Sequence, residues 1–224
     1  MKVIITGSTG MVGEGVLHEC LMHPVVKNIL VINRRECNVK HPKLKEIIHK
    51  DFSDFSPIQN ELVGYDAAFL CMGVSSIGMK EEKYKHLTYH LTMSLAKPLA
   101  DLNSNFALIY VSGAGTDSSE QGKSMWARIK GKTENDLIKM PFKNVYAFRP
   151  GGITPTPGLK NTFTILKLMK PILPLLRLLL PKMICSLKEV GLAMINATLY
   201  GDDKNVIEVT DIVKLSRINS PYQG

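Results

Sequence analysis

The chain has 224 residues, 45% of them hydrophobic and 21% charged, with a formal net charge of +8. These values exclude a disordered, collagenous or coiled-coil chain and leave a globular one able to bury a substantial core. The positive charge suits a phosphorylated cofactor or an anionic surface, but the cations are spread along the chain and no zinc-finger or RNA-binding spacing occurs, so nucleic acid is not an expected partner.

In chain order, residues 2–6 (KVIIT) form a β-branched run stopped by Gly7, as in a buried parallel strand, and Val12, Val16, Leu17, Cys20 and Leu21 then recur at helical spacing. A second strand fits 28–33, and a third fits 44–49 before Asp51 and Phe52. Residues 65–72 are a fourth apolar run ending at Gly73. Tyr84, Leu87, Leu91, Leu95, Leu99 and Leu102 then keep one helical face, with Pro98 a place for a kink. A strand over 106–111 ends in Ser112-Gly113-Ala114-Gly115, a helix follows over 125–139, and a strand over 144–149 is closed by Pro150-Gly151-Gly152. This alternation predicts an α/β fold, a doubly wound parallel sheet of the Rossmann kind with helices on both faces.

After Gly152 the composition shifts. Residues 159–184 are Leu-rich but interrupted by Pro171, Pro174 and Pro181 and by Lys160, Lys167, Lys170, Arg177 and Lys182. A spanning helix needs about 20 uninterrupted apolar residues, so this stretch is expected to form short helices covering a substrate cleft, with peripheral membrane contact as the alternative. A helix over 187–199 and a strand over 206–209 complete the expected elements. The chain reads as one domain, a cofactor-binding core over 1–152 and a small helical covering part over 153–224. Its oligomeric state is open.

A turn from a buried strand into a helix gathers free amide N–H groups and the positive end of the helix dipole at one point, which attracts a pyrophosphate. Gly7, Ser8, Thr9, Gly10, Met11, Val12 and Gly13 occupy that turn, the three glycines suiting tight turning, phosphate approach and helix packing. At the end of the second strand, where a carboxylate would hold the ribose hydroxyls of NAD, the chain has Asn33-Arg34-Arg35. Two guanidinium groups suit a 2′-phosphate, so NADP is favoured over NAD, while Glu36 keeps NAD open.

These residues resemble the atypical and extended short-chain dehydrogenase/reductases, the NAD-dependent epimerase/dehydratase-like group, whose Thr-Gly-x-x-Gly-x-x-Gly motif is matched by Thr6 to Gly13. Residues 111–117 and 125–134 look like bacterial nucleoside-sugar epimerase-like proteins and the branch of the Tat-interacting oxidoreductase-like protein. The resemblance implies that Asp51 and Phe52 flank the adenine, that Cys71, Met72 and Gly73 pass along the cofactor, and that Pro150, Gly151 and Gly152 approach the nicotinamide.

It also implies a Ser, Tyr and Lys catalytic set, in which Lys lowers the tyrosine pKa and holds the nicotinamide ribose while the phenol moves a proton. Ser112 matches the serine and Lys130 the lysine, but Trp126 stands at the tyrosine position, and an indole N–H does not titrate near neutral pH. Lys130 itself, Tyr84, Tyr89 or the C-terminal segment are candidates to supply the missing chemistry. His86 and His90 lie one helical turn apart with no third ligand spaced to join them, so no metal is expected.

Two functional classes follow. One is an NADP-dependent oxidoreductase or epimerase-like enzyme on a small carbonyl or hydroxyl substrate. The other is an inactive cofactor-binding regulator or scaffold. The four cysteines, without a Cys-x-x-Cys pair, and the short apolar run leading into Gly7 point to reduced thiols in a cytoplasmic protein.

Overall fold

A computed structural model of the protein describes residues 1–103, 105–161 and 179–218. Seven strands form one parallel sheet in the order β3-β2-β1-β4-β5-β6-β9. They are β1 (Lys2–Thr6), β2 (Asn28–Asn33), β3 (Leu44–Ile48), β4 (Ala67–Leu70), β5 (Ala107–Val111), β6 (Asn144–Arg149) and β9 (Val206–Glu208). The chain therefore reverses its direction of winding between β3 and β4, with β1 hydrogen-bonded to both β2 and β4. In open α/β sheets that switch point leaves a crevice at the carboxyl ends of the strands.

Alternation along each strand divides the core into two layers. Val3 and Ile5 of β1 join one cluster with Val16, Leu17 and Cys20 of α1 (Met11–Met22). Ile4 joins the other, with Leu95 and Leu99. The second face is covered by a long helix in three parts: α2 (Glu81–Lys85), a π-helical turn over His86–His90, and α3 (Leu91–Leu102). Pro98 lies inside α3 without ending it, and the irregularity falls on the π turn. The same face carries α4 (Met125–Ile138), whose Leu137 is fully buried.

The first face is completed from the carboxyl-terminal part by α5 (Leu187–Tyr200) and α6 (Val209–Ser216). Ser186 and Glu189 form a reciprocal capping box at the start of α5. The helix then packs on α1 so closely that a Cβ on Gly15 would stand 2.1 Å from the Leu187 side chain.

The strand order, the parallel pairing and the helices on both faces agree with the doubly wound expectation. Five features were not expected: the π turn over His86–His90, a 3-10 turn over Ser56–Leu62, α6, and two short strands, β7 (Gly152–Thr154) and β8 (Ile184–Ser186), which pair in parallel as a separate ribbon. Most of the expected helical cover over 159–184 lies outside the described residues, and at its far end the chain is extended as β8. No helix among the described residues is long and apolar enough to cross a membrane.

Candidate functional site

The glycine turn begins where β1 ends. Gly7 has φ +75°, and a Cβ there would lie 2.6 Å from the Cys71 carbonyl oxygen, so only glycine passes between the two strand ends. Its carbonyl accepts from the Gly10 amide at 2.9 Å, which closes the turn. A Cβ on Gly13 would stand 2.2 Å from the Gly7 oxygen, so α1 rests directly on the turn backbone. Gly10 caps α1 without any side-chain hydrogen bond, and the first amides of an α-helix have no partner within it. Donors are thus left open at a positive helix end. Ser8 is buried and donates to Asn33, while Met11 and Val12 pack against the core.

Beside this turn lies a cavity of about 560 Å³ at the carboxyl ends of β1, β2 and β4. Of the residues expected at a cofactor, it is lined by Gly7, Thr9 and Gly10, by Arg34 and Arg35, and by Phe52, Cys71, Met72 and Gly73. Arg34 and Arg35 are exposed, and among the described residues neither guanidinium has a hydrogen bond or ion pair. Burial pushes the Cys71 thiol up to about 12, leaving it neutral. Asp51 stays outside the lining, where its carboxylate accepts from the Ser53 amide at 2.9 Å and from the Ser53 hydroxyl. The sequence reading missed Leu87 and Leu91, which supply an apolar wall from the π turn and the start of α3. Such turns are frequent at functional sites, but only an interrupted helical period could have signalled this one.

The three candidate catalytic residues come together one strand further on, outside this cavity lining. Ser112 follows β5, buried, with its hydroxyl 3.2 Å from the Phe148 carbonyl. Lys130 on α4 donates its ammonium to the Ser112 carbonyl. Trp126, one helical turn earlier on the same face, packs its indole on the turn after Ser112: a Cβ on Gly115 would lie 3.4 Å from Trp126 Cη2. Burial pushes Lys130 down to about 8, opposed by the Glu134 carboxylate one turn on.

Of the substitutes for the absent phenol, Tyr89 is held by its hydroxyl on Asp136 at 2.8 Å, and Tyr84 is buried with its pKa raised by desolvation. The His86 and His90 rings are 6.2 Å apart, and no group of three metal-binding side chains occurs among the described residues. Pro150, Gly151 and Gly152 anchor the returning ribbon. Pro150 accepts from the Ala114 amide at 2.9 Å, and the Gly152 amide donates to Met183 at 2.8 Å. A Cβ on Gly151 would be 2.3 Å from the Met183 oxygen.

A further buried group was not singled out in the sequence. Glu134 and Arg149 form an ion pair with side chains 0% and 10% exposed, and Arg149 also reaches Ser118 at 2.5 Å and Glu208 at 3.3 Å. It joins α4, the end of β6, the loop after Gly115 and β9. The Glu134 hydrogen bonds raise the Arg149 pKa further above its ordinary value.

Comparison with known proteins bears on this arrangement. The protein named FMP52, mitochondrial, of Candida albicans is 27% identical over 157 residues, 68% of this chain and 67% of that protein. The protein fmp52-1, mitochondrial, of Aspergillus terreus is 30% identical over 162 residues, 69% of this chain and 68% of that one. The chain thus matches about two thirds of the length of these relatives, and they lend no support to the expected nearness to the Tat-interacting branch. They also overturn the cytoplasmic expectation, since both are named mitochondrial. That expectation rested on cysteine spacing and the lack of an export signal, which report on disulfides and secretion and do not distinguish among reducing compartments.

Among solved structures, a dTDP-glucose 4,6-dehydratase, DesIV, from Streptomyces venezuelae with NAD and TYD bound matches with TM-score 0.69 and 15% identity over 93% of this chain and 75% of that one. WbmG of Bordetella bronchiseptica, in complex with NAD, matches with TM-score 0.69 and 14% identity over 96% and 77%. At such identities they bear on the fold alone, and they share the Rossmann-type architecture. The model of the NAD dependent epimerase/dehydratase family matches residues 3–127, from β1 into the first turn of α4 and over more than half of the sequence, and the protein is accordingly a member of that family.

Proposed function

We propose that the protein binds NADP(H), with the diphosphate at the glycine turn and the 2′-phosphate at Arg34 and Arg35, and acts as an oxidoreductase or epimerase-like enzyme on a small carbonyl or hydroxyl substrate. The observation that carries this reading is the cavity that joins the start of α1, without a side-chain cap, to two guanidinium groups that have no partner among the described residues. The residues suit the group: open amides and a glycine wall admit a diphosphate closely, and the planar arginines match a phosphate in two-point contact. When bound, the cofactor supplies a hydride acceptor or donor.

The chain's own contribution centres on Ser112, Trp126 and Lys130. Lys130 holds the ribose and, with a pKa brought to about 8, exchanges a proton near neutral pH. Ser112 orients a substrate oxygen. The indole of Trp126 donates a hydrogen bond or shields that oxygen but does not release its proton. This position also favours the second reading, in which cofactor binding stabilises a regulatory or scaffold surface without turnover.

Fluorescence titration tests cofactor choice: NADPH is expected to bind more tightly than NADH, and Arg34→Ala with Arg35→Ala to erase about tenfold of that difference. Equal wild-type affinities remove the role given to the arginines. For turnover, Trp126→Tyr is expected to create or raise NADPH-dependent reduction of generic carbonyls. A cofactor-loaded Trp126→Tyr protein with no gain counts against a simple missing proton donor.

A further inference from the structure

We propose that Glu46 is the positioning residue that sets cofactor discrimination, by clamping both ends of the Arg34-Arg35-Glu36 stretch to one carboxylate oxygen. This rests on the dinucleotide reading of the cavity and adds to it a residue outside the cavity lining.

The geometry is a relay across three elements. Glu46 lies on β3, opposite Val31 in the β2–β3 register. Its Oε1 accepts from Asn33 Nδ2 at 2.7 Å and from the Cys37 amide at 2.9 Å. Asn33, 3% exposed at the end of β2, accepts from Ser8 Oγ at 3.0 Å through its Oδ1. The two Glu46 contacts therefore bracket three exposed residues, and Asn38, with φ +55°, turns the chain back just beyond them.

The chemistry makes the arrangement directional. A carboxylate only accepts, so Glu46 forces the Asn33 amide to face it with nitrogen and to turn its oxygen toward Ser8. One amide hydrogen and one oxygen lone pair of Asn33, itself on the cavity wall, are then committed at the place where a side chain would otherwise be freer to hold ribose hydroxyls. Recognition falls to the two guanidinium groups, and their backbone is fixed on either side. A pinned loop loses less freedom when it grips an anion, so the clamp favours the phosphorylated nucleotide over the plain one.

The test measures dissociation constants for NADPH and NADH on the full chain. Glu46→Ala is expected to lower the NADPH-over-NADH preference by about tenfold, mostly through weaker NADPH binding. Glu46→Gln, isosteric but able to present either amide end, should lower it by about threefold and covers the case in which the alanine variant does not fold. With Arg34 and Arg35 already changed to Ala, Glu46→Gln should leave the ratio where it is, because the clamp acts through them. An unchanged preference in the single variants, or an equal loss for both nucleotides, overturns the positioning role while the dinucleotide site stands. A wild-type chain that binds neither nucleotide overturns the site, and this inference falls with it.

Discussion

Glu134→Ala is expected to lower the melting temperature by roughly 6–12 °C, the largest stability effect foreseen for a single side chain outside the hydrophobic core. Removing one member of a buried ion pair costs about 3–5 kcal/mol, because the remaining charge is left desolvated. Arg149 keeps Ser118 and the half-exposed Glu208 as partners, so the low end, about 3 kcal/mol, applies here, and for a chain of this size each kcal/mol moves the midpoint by about 2–4 °C. The measurement is thermal unfolding followed by circular dichroism. Glu134→Leu combined with Arg149→Met should recover most of the loss, since exchanging a whole buried pair for apolar side chains is often close to neutral. A double variant as unstable as the single one would mean that packing, not the orphaned guanidinium, sets the cost. Removing Glu134 also takes away the charge that opposes the downward shift of Lys130, so the lysine should lose its proton at lower pH than in the parent protein.

The glycine turn gives a contrast of comparable size. Gly13→Ala places a methyl 2.2 Å from the Gly7 carbonyl oxygen and 2.5 Å from its carbon, both backbone atoms that a rotamer change does not relieve. Overpacking of this sort costs about 1–3 kcal/mol, and α1 must move off the turn. Gly10→Ala meets nothing closer than 3.4 Å, and its backbone at φ −106° is open to any residue. The expected result is a lowered melting temperature for Gly13→Ala and an almost unchanged one for Gly10→Ala. Both should lose dinucleotide affinity, by about tenfold or more. A Gly10→Ala protein that binds NADPH as well as its parent would show that the diphosphate does not approach this face of the turn.

These contrasts also show which parts of the molecule could be read along the chain. The β1–turn–α1 unit was legible because its signal is local: a β-branched run, glycines at fixed offsets, and a 3.6-residue apolar period follow one another. Ser112, Trp126 and Lys130 were singled out through the family resemblance, and the fold places them near one another, two of them on one helix face. The β7–β8 ribbon was not, because each strand is three residues long and its partner lies some 30 positions away, beyond any window that measures periodicity. Nor were the Glu46 and Glu134 contacts, for a charged residue on a strand or helix reads as solvated surface until the fold brings its partner across. Asp51 illustrates the opposite case. The adjacent Phe52 lines the cavity, while the carboxylate is satisfied two residues away by Ser53.

The parallel ribbon has a consequence for how such a chain diversifies. The strands Gly152–Thr154 and Ile184–Ser186 lie side by side, so the two ends of the interval between them are held together. Whatever is spliced between them begins and finishes at a fixed gate, so its length hardly matters to the sheet: doubling a flexible insertion costs only about 0.6 kcal/mol of closure entropy. With its endpoints fixed in this way, such a scaffold tolerates a change of length in that interval without disturbing the parallel sheet.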